Sequence, residues 1–234
     1  MTAVGADTAT AVQNAVRPRR RWSRFAALSA MLTIALAVTC IFSLGLGQYA
    51  LSPTQIVGIL LDALGVHTAW APTQATDAGV LLSIRLPRLT LGLIVGAALA
   101  VSGVLMQAIF GNPLADAGVV GVSSGAALGA AASLTFGLAT FGAWTTPAFA
   151  FLGGLIAVLA VYFISRAGGR TEVVTLLLTG IAINAIGGAG LAFLTFLGTT
   201  STREQIIFWQ LGSLNGALWQ NVALVAPLVA IGIV

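Results

Sequence analysis

Long stretches of this chain carry no charge at all. No Asp, Glu, Lys or Arg occurs between Arg24 and Asp62, between Arg88 and Asp116, between Asp116 and Arg166, or between Glu172 and Arg203, and none occurs beyond Glu204. Each gap can hold one or two helices of about 20 apolar residues, the length that crosses a bilayer core. Only helices and closed barrels satisfy their own backbone hydrogen bonds in lipid. The runs here are continuous rather than alternating apolar and polar, which excludes a barrel. Composition agrees: 58% of the residues are hydrophobic and 7% charged, where a soluble domain carries about a quarter charged. The fold class is all-α, a polytopic membrane helix bundle.

The few ionic groups exclude other classes. All ten basic residues are arginine, and arginines beside apolar runs set orientation rather than building a face for nucleic acid. Cys40 and His67 are the sole cysteine and histidine. One of each at that separation cannot form a His/Cys metal site, and a lone cysteine makes no internal disulfide. No cofactor or metal is expected.

Along the chain, residues 1–24 read as a disordered, basic cytoplasmic tail ending in Arg17, Arg19, Arg20, Arg21 and Arg24, and residues 25–234 as the transmembrane bundle. A first span is expected at 25–46. In "LSPTQIVGILLDALG", Ser52 can cap, Pro53 suits the first helical position, Gln55 completes a capping box and Gly65 supplies a stop. This is a short extracytoplasmic helix. A second span at 89–110 ends at Asn112-Pro113, where Asn112 can cap an element starting at Pro113. The uncharged residues 117–165 are divided around "TFGAWTTP" into spans at 119–139 and 146–165. "SRAGGRTE" is a turn, and a fifth span is expected at 173–197. "STREQIIFWQLG" offers a second capping box, Ser201 to Glu204, with a stop at Gly212. A last apolar segment runs from Leu218 to Val234. The count is about five full spans plus the start of a sixth.

Alternation along this path places the N-terminus, Arg166 and Arg170 in the cytoplasm. Arg85, Arg88 and Arg203 fall outside. The majority of arginines lies inside, as the positive-inside rule asks. Arg85 and Arg88, flanking Pro87 at the mouth of a long apolar helix, stand against that rule. Small residues recur every fourth position at Gly92, Gly96 and Ala100, and again at Gly121, Gly125, Gly129 and Ser133. Gly180, Asn184 and Gly188 share one further face. Such faces let transmembrane helices approach backbone to backbone.

The segment "RLPRLTLGLIVGAALAVSGVLMQAIFGNPLADAGVVGVSSGAALGA" closely resembles the signature of the FecCD-type permeases, the membrane subunits of importers for iron-siderophores, haem and cobalamin. "LSPTQI", "LLLTGIAIN" at Leu176–Asn184 and "FWQLGSLNG" at Phe208–Gly216 match in the same order. Asp116-Ala117 departs from the family's usual acidic residue followed by proline. The resemblance implies a ten-helix bundle working as a homodimer or heterodimer in the cell membrane, two cytoplasmic ATPase subunits and an extracytoplasmic substrate-binding protein. It implies that Arg85 and Arg88 meet carboxylates on that binding protein. It also implies that the loop with Gly168, Gly169, Arg170, Thr171, Glu172 and Val173 helps close the cytoplasmic end of the pathway. A ten-helix family makes this chain, as an expectation, the N-terminal portion of a longer permease, stopping short of the loop that engages the ATPase.

No Gly-x-x-x-x-Gly-Lys phosphate loop is present, so nucleotide chemistry is assigned to a partner and the chain is not expected to be an enzyme. The competing reading is a secondary transporter or channel. Such proteins usually place ionisable residues within their spans, and the expected spans contain none. The topology yields a first prediction. In intact cells, Arg17→Cys and Gly169→Cys should resist an impermeant thiol reagent while Thr76→Cys is labelled; outside labelling at position 169 would overturn the span order.

Overall fold

The computed structural model describes residues 19–70, 74–167 and 170–233. Arg17 and the rest of the expected tail through residue 18, together with Gly168 and Gly169, lie outside the described residues. The described chain divides into two compact units, one through Thr90 and one from Leu91 onward.

In the first unit, α1 (Arg19–Gly45) is a long apolar helix. It takes in Arg19–Arg24, so the helix starts ahead of the boundary expected at residue 24. α2 (Pro53–Ala63) forms as its sequence directs: the Ser52 side chain accepts from the Gln55 amide, the Gln55 side chain accepts from the Ser52 amide, and Pro53 opens the first turn. Its buried Ile56 and Ile59 pack with Leu44, Leu51 and Leu81 in a small apolar core.

The next helix differs from expectation. It begins as α3 (Ala75–Gly79), widens into a π-helical segment at Val80–Arg85, and continues as α4 (Leu86–Phe110). The uninterrupted stretch Thr76–Phe110 is 35 residues long. Pro87 explains the widening. Proline has no N–H to give and its ring crowds the carbonyl four residues back, so the turn ahead of it opens and the Leu86 amide reaches Leu81, five residues back. Arg85 and Arg88 thus sit within a helix rather than at its mouth.

In the second unit, the expected span at 119–139 is corrected. A 3₁₀ turn at Ala117–Val120 leads through Gly121, at φ 85°, into α5 (Val122–Thr135), which has only 14 residues. That is about 21 Å of helix against a hydrocarbon core of about 30 Å. The break has a packing cause: a Cβ on Gly121 would lie 2.7 Å from Ile183 Cγ2, and the left-handed backbone there suits glycine alone. A 3₁₀ turn at Leu138–Phe141 links α5 to α6 (Thr145–Ile164). A two-residue hairpin, β1 (Arg166–Ala167) with β2 (Arg170–Thr171), pairs Arg166 with Thr171 and Ala167 with Arg170. α7 (Val173–Leu197) comes next, at the expected bounds.

α8 (Thr200–Leu211) corrects the second capping box. The N-cap is Thr199, whose side chain accepts from the Thr202 amide at 3.3 Å, while Ser201 lies inside the first turn and accepts from the Gln205 side chain. Gly212 ends the helix, and α9 (Trp219–Ile233) is the last element. Four of these helices, within Arg24–Gly45, Thr76–Phe110, Thr145–Ile164 and Val173–Leu197, are long and apolar enough to cross a membrane, and α5 and α9 are shorter apolar helices.

The tightest packing in the second unit joins α5, α6 and α7. A Cβ on Gly125 would lie 2.5 Å from the Gly153 carbonyl oxygen and 2.6 Å from Ala157 Cβ, and one on Gly129 would strike the Phe149 carbonyl. Gly180 of α7 sits equally close to the Val119 carbonyl. Buried polar links run alongside, with Ser133 and Thr146 hydroxyls 3.1 Å apart and Thr135 donating to the Leu194 carbonyl at 3.3 Å. Gly92 and Gly96 on α4 are different: the nearest neighbour to a Cβ at Gly92 is a leucine methyl at 3.4 Å, and none lies within 4 Å of one at Gly96. Overpacking of this kind costs about 1–3 kcal/mol. Gly129→Ala should therefore destabilise the chain by about that amount, and Gly96→Ala by less than about 0.5 kcal/mol. Unfolding in mixed micelles with rising SDS would measure both, and equal effects would contradict the close α5–α6 contact.

Candidate functional site

The turn after α1 is organised by one guanidinium. Arg85 Nη1 donates to the carbonyls of Leu44 and Gly45, the latter at 3.3 Å, and Nη2 donates to the Tyr49 carbonyl. These oxygens belong to the last turn of α1 and the loop after it, where no amide within the helix can reach them. A cation at a helix C-terminus also meets the negative end of its dipole. Gly47 makes room, since a Cβ there would come within 2.7 Å of Arg85 Nη2.

Tyr49 extends the network. Its hydroxyl donates to Oδ1 of Asp77, a carboxylate that is only 5% exposed. Among the described residues no cation lies within 4 Å of Asp77; the one close acid–base pair is His67 Nδ1 with Asp62 Oδ1 at 2.5 Å, on the exposed end of α2. Arg88, one turn beyond Arg85, is exposed and makes no hydrogen bond or ion pair among the described residues. The two arginines of the motif thus have unlike surroundings. Tyr49 and Asp77 carry no local sequence signal, because the partners are 28 and 36 residues apart along the chain.

Arg203 repeats the arrangement in the second unit. Its Nε donates to the Thr195 and Gly198 carbonyls at 3.1 and 3.0 Å and its Nη2 to Phe196 at 3.2 Å, closing the end of α7. At the other end of α7, Glu172 is the N-cap residue without a side-chain cap, its carboxylate instead accepting from the Thr175 hydroxyl at 3.3 Å. Arg166 donates to the Tyr162 hydroxyl at 3.0 Å and lies 5.7 Å from that ring's centre. The hairpin carrying Arg170 and Thr171 is therefore framed by two membrane-length helices, with Val173 exposed at the start of α7.

Two polar side chains at depth separate in role. Asn184 Nδ2 donates to the Gly118 carbonyl at 3.0 Å and holds the broken turn ahead of α5 against α7. Gln107 is exposed. Between α5 and α8 lies a groove of about 720 Å³ bordered by Ser123, Ala126, Ala127, Phe208, Trp209 and Gln210. It is uncharged, and sequence reasoning passes over it because small residues on α5 read as packing alone.

Residues 35–234 match the family model described as the FecCD transport family. The chain belongs to the FecCD transport family. Among curated proteins, this FecCD chain is 39% identical over 212 residues to the cobalamin import system permease protein BtuC of Halobacterium salinarum, covering 86% of the chain and 56% of that protein. It is 40% identical over 172 residues to the hemin transport system permease protein HmuU of Yersinia pestis, covering 71% and 51%. It is 34% identical over 191 residues to the molybdate import system permease protein MolB of Haemophilus influenzae, covering 81% and 55%. A solved structure described as an inward-facing conformation of a metal-chelate type ABC transporter superposes with a TM-score of 0.67 at 29% identity, over 83% of this chain and 56% of that one. The FecCD chain spans about half the length of the curated relatives it matches. With the apolar helices, the match identifies a multi-pass membrane protein.

The arginine at the end of α7 gives a direct test. Arg203 is exposed, so water replaces part of what its loss would remove, and Arg203→Ala should cost about 0.5–1.5 kcal/mol, the net contribution of a typical hydrogen bond. Hydrogen exchange at the last turn of α7 should rise in the variant; unchanged exchange there would show that the cap contributes nothing.

Proposed function

We propose that this chain is the membrane-spanning permease subunit of an ATP-binding-cassette importer for iron-siderophore or a related bulky metal chelate. The match over residues 35–234 carries the reading. The cargoes named for the relatives are cobalamin, hemin and molybdate, all of which contain a metal, and the structural neighbour is of metal-chelate type. In this reading the permease works as a homodimer or heterodimer in the cell membrane with its N-terminus in the cytoplasm. It is fed by an extracytoplasmic binding protein and driven by two cytoplasmic ATPase subunits. It performs no catalysis itself.

Three parts of the chain take roles. The face around Arg85 and Arg88 receives the binding protein, because arginines meeting carboxylates on a diffusing partner steer its encounter and fix its register. The hairpin of Arg166–Ala167 with Arg170–Thr171, together with Glu172 and Val173, closes the cytoplasmic end. The groove between α5 and α8 offers an uncharged wall past which a chelate held by few polar contacts can leave.

Dependence on energy source tests the class. In proteoliposomes holding the assembled transporter, uptake of a ferric chelate should require ATP on the ATPase side and the binding protein on the other. It should persist when an ionophore collapses the proton and sodium gradients. Uptake that proceeds without ATP and stops with the ionophore would replace this reading with the secondary transporter.

A further inference from the structure

One loop residue holds both sides of the widened turn. The Tyr49 hydroxyl donates to the Asp77 carboxylate, ahead of the π-helical segment Val80–Arg85, and the Tyr49 carbonyl accepts from Arg85 at the segment's end. In a regular helix positions 77 and 85, eight apart (85 − 77), stand about 80° apart around the axis. The extra residue in the wide turn brings them to within about 20°, so only the wide turn lets one residue hold both. The two ties are unequal. Arg85 reaches the carbonyls of Leu44, Gly45 and Tyr49, whereas Tyr49 and Asp77 share a single hydrogen bond.

The Asp77 side of the turn is free to change register. Gly79, where α3 meets the wide turn, has ordinary helical backbone at φ −58° and ψ −47°, and nothing lies within 4 Å of an added Cβ. Neither a turn nor a close neighbour calls for glycine there, and its remaining effect is to soften the helix. Ser83 and Ile84 on the wide turn are exposed, so no packing holds them in place. If the wide turn passes along the helix toward its start, each residue from Asp77 to Leu82 advances into the place of the one before it. The sequence tolerates that exchange. Leu82 replaces Leu81 in the core with Leu44, Leu51, Ile56 and Ile59, and Ala78 takes the buried place of Asp77. Asp77 takes the exposed place of Thr76, where water solvates its carboxylate.

We infer that Val80–Arg85 is a joint with two registers, latched by the Tyr49 hydroxyl on Asp77 and pivoting on Arg85. In the latched register the wide turn lies at Val80–Arg85 and Asp77 is buried. In the released register the wide turn has moved past Asp77, which faces solvent, while Arg85 keeps its hold on the end of α1. α3 thereby turns by about 100° around its own axis without uncovering the end of α1. The change is discrete, because packed side chains occupy one register or the next. The inference is independent of the importer reading.

Spin labels on Leu64→Cys and Thr76→Cys, both at exposed positions, read the joint in a Cys40→Ala background of the chain in lipid nanodiscs. A turn of about 100° moves a side chain on a helix of about 5–6 Å radius by about 8 Å, which pulsed electron resonance resolves. The parent should give one main distance. Tyr49→Phe removes the hydroxyl and leaves the carbonyl for Arg85. It should shift the ratio of two distances by about tenfold toward the released one, the equivalent of one hydrogen bond to a charged group. Asp77→Ala cuts the same tie from the other side and should produce the same second distance. Deleting Ser83 together with Pro87→Ala removes the extra residue and keeps Asp77 and Arg85 on one face of a regular helix. In that background Tyr49→Phe should leave a single distance. An unchanged parent distance in both Tyr49→Phe and Asp77→Ala would overturn the joint. Equal broadening with and without the Ser83 deletion would show general loosening in place of a register change, and would overturn it as well.

Discussion

The carbonyl oxygens at the C-terminal ends of its helices are the demand that this chain must meet with almost no polar side chains. Each helix leaves its last carbonyls without an amide inside the helix, and a polar group left bare in an apolar setting costs several kcal/mol. In a soluble protein water meets that demand. Here two of the helices are each closed by an arginine brought from later in the chain: Arg85 for α1 and Arg203 for α7. The planar guanidinium suits the task because its donors fan out in fixed directions and can reach several carbonyls at once, which an ammonium cannot do with equal geometry. With no lysine in the chain, arginines act as covers for backbone as much as markers of membrane sidedness.

A second constraint shapes the other unit. Between helices in lipid there is little hydrophobic gain, because the lipid is as apolar as the side chains, and close van der Waals approach has to serve instead. α5 achieves it by presenting Gly125 and Gly129 to the backbone of α6, and the turn ahead of α5 rests on Gly180, Ile183 and Asn184 of α7. The consequence is a short helix. Asp116 caps the 3₁₀ turn by accepting from the Gly118 amide at 2.7 Å, and Asn184 meets the Gly118 carbonyl, so the broken backbone finds partners without water. Irregular backbone in an apolar bundle is tolerated where protein covers it, and α7 supplies part of that cover.

Sequence reading succeeds where the cause is local. The capping box at Ser52 and Gln55, the stops at Gly65 and Gly212, and α7 from Val173 to Leu197 are all set by residues within a turn of the feature they control. It fails where the cause is distant. α5 starts late because Gly121 packs on Ile183, a residue 62 positions later (183 − 121), which no periodicity in 117–139 announces, whereas its end at the left-handed Gly137 is local. Thr199 takes the cap from Ser201 because the helix can start two residues earlier (201 − 199), and both are small hydroxyl residues that look alike on paper. At the arginine motif, two identical charges three positions apart (88 − 85) read alike, and only the structure separates the half-buried Arg85 from the exposed Arg88. Tyr49 and Asp77 have no motif to mark them at all.

Pro87 connects these features. In an unbroken α-helix Asp77 and Arg85, eight residues apart (85 − 77), would differ by about 80° around the axis, since each residue turns about 100°. The π-helical segment at Val80–Arg85 accommodates one extra residue in the turn. The separation then counts as about seven residues, which closes to within about 20° of two full turns. Asp77 and Arg85 come onto one face, and Tyr49 touches both, with its hydroxyl on the carboxylate and its carbonyl under the guanidinium. The proline that forbids a regular hydrogen bond at position 87 thereby selects the geometry in which Arg85 can be held. Arg88, beyond the widened turn and back in regular helix, is exposed. The order of the four residues R-L-P-R is in this sense a structural instruction: the residue before the proline's turn is drawn in, and the one after it stays out.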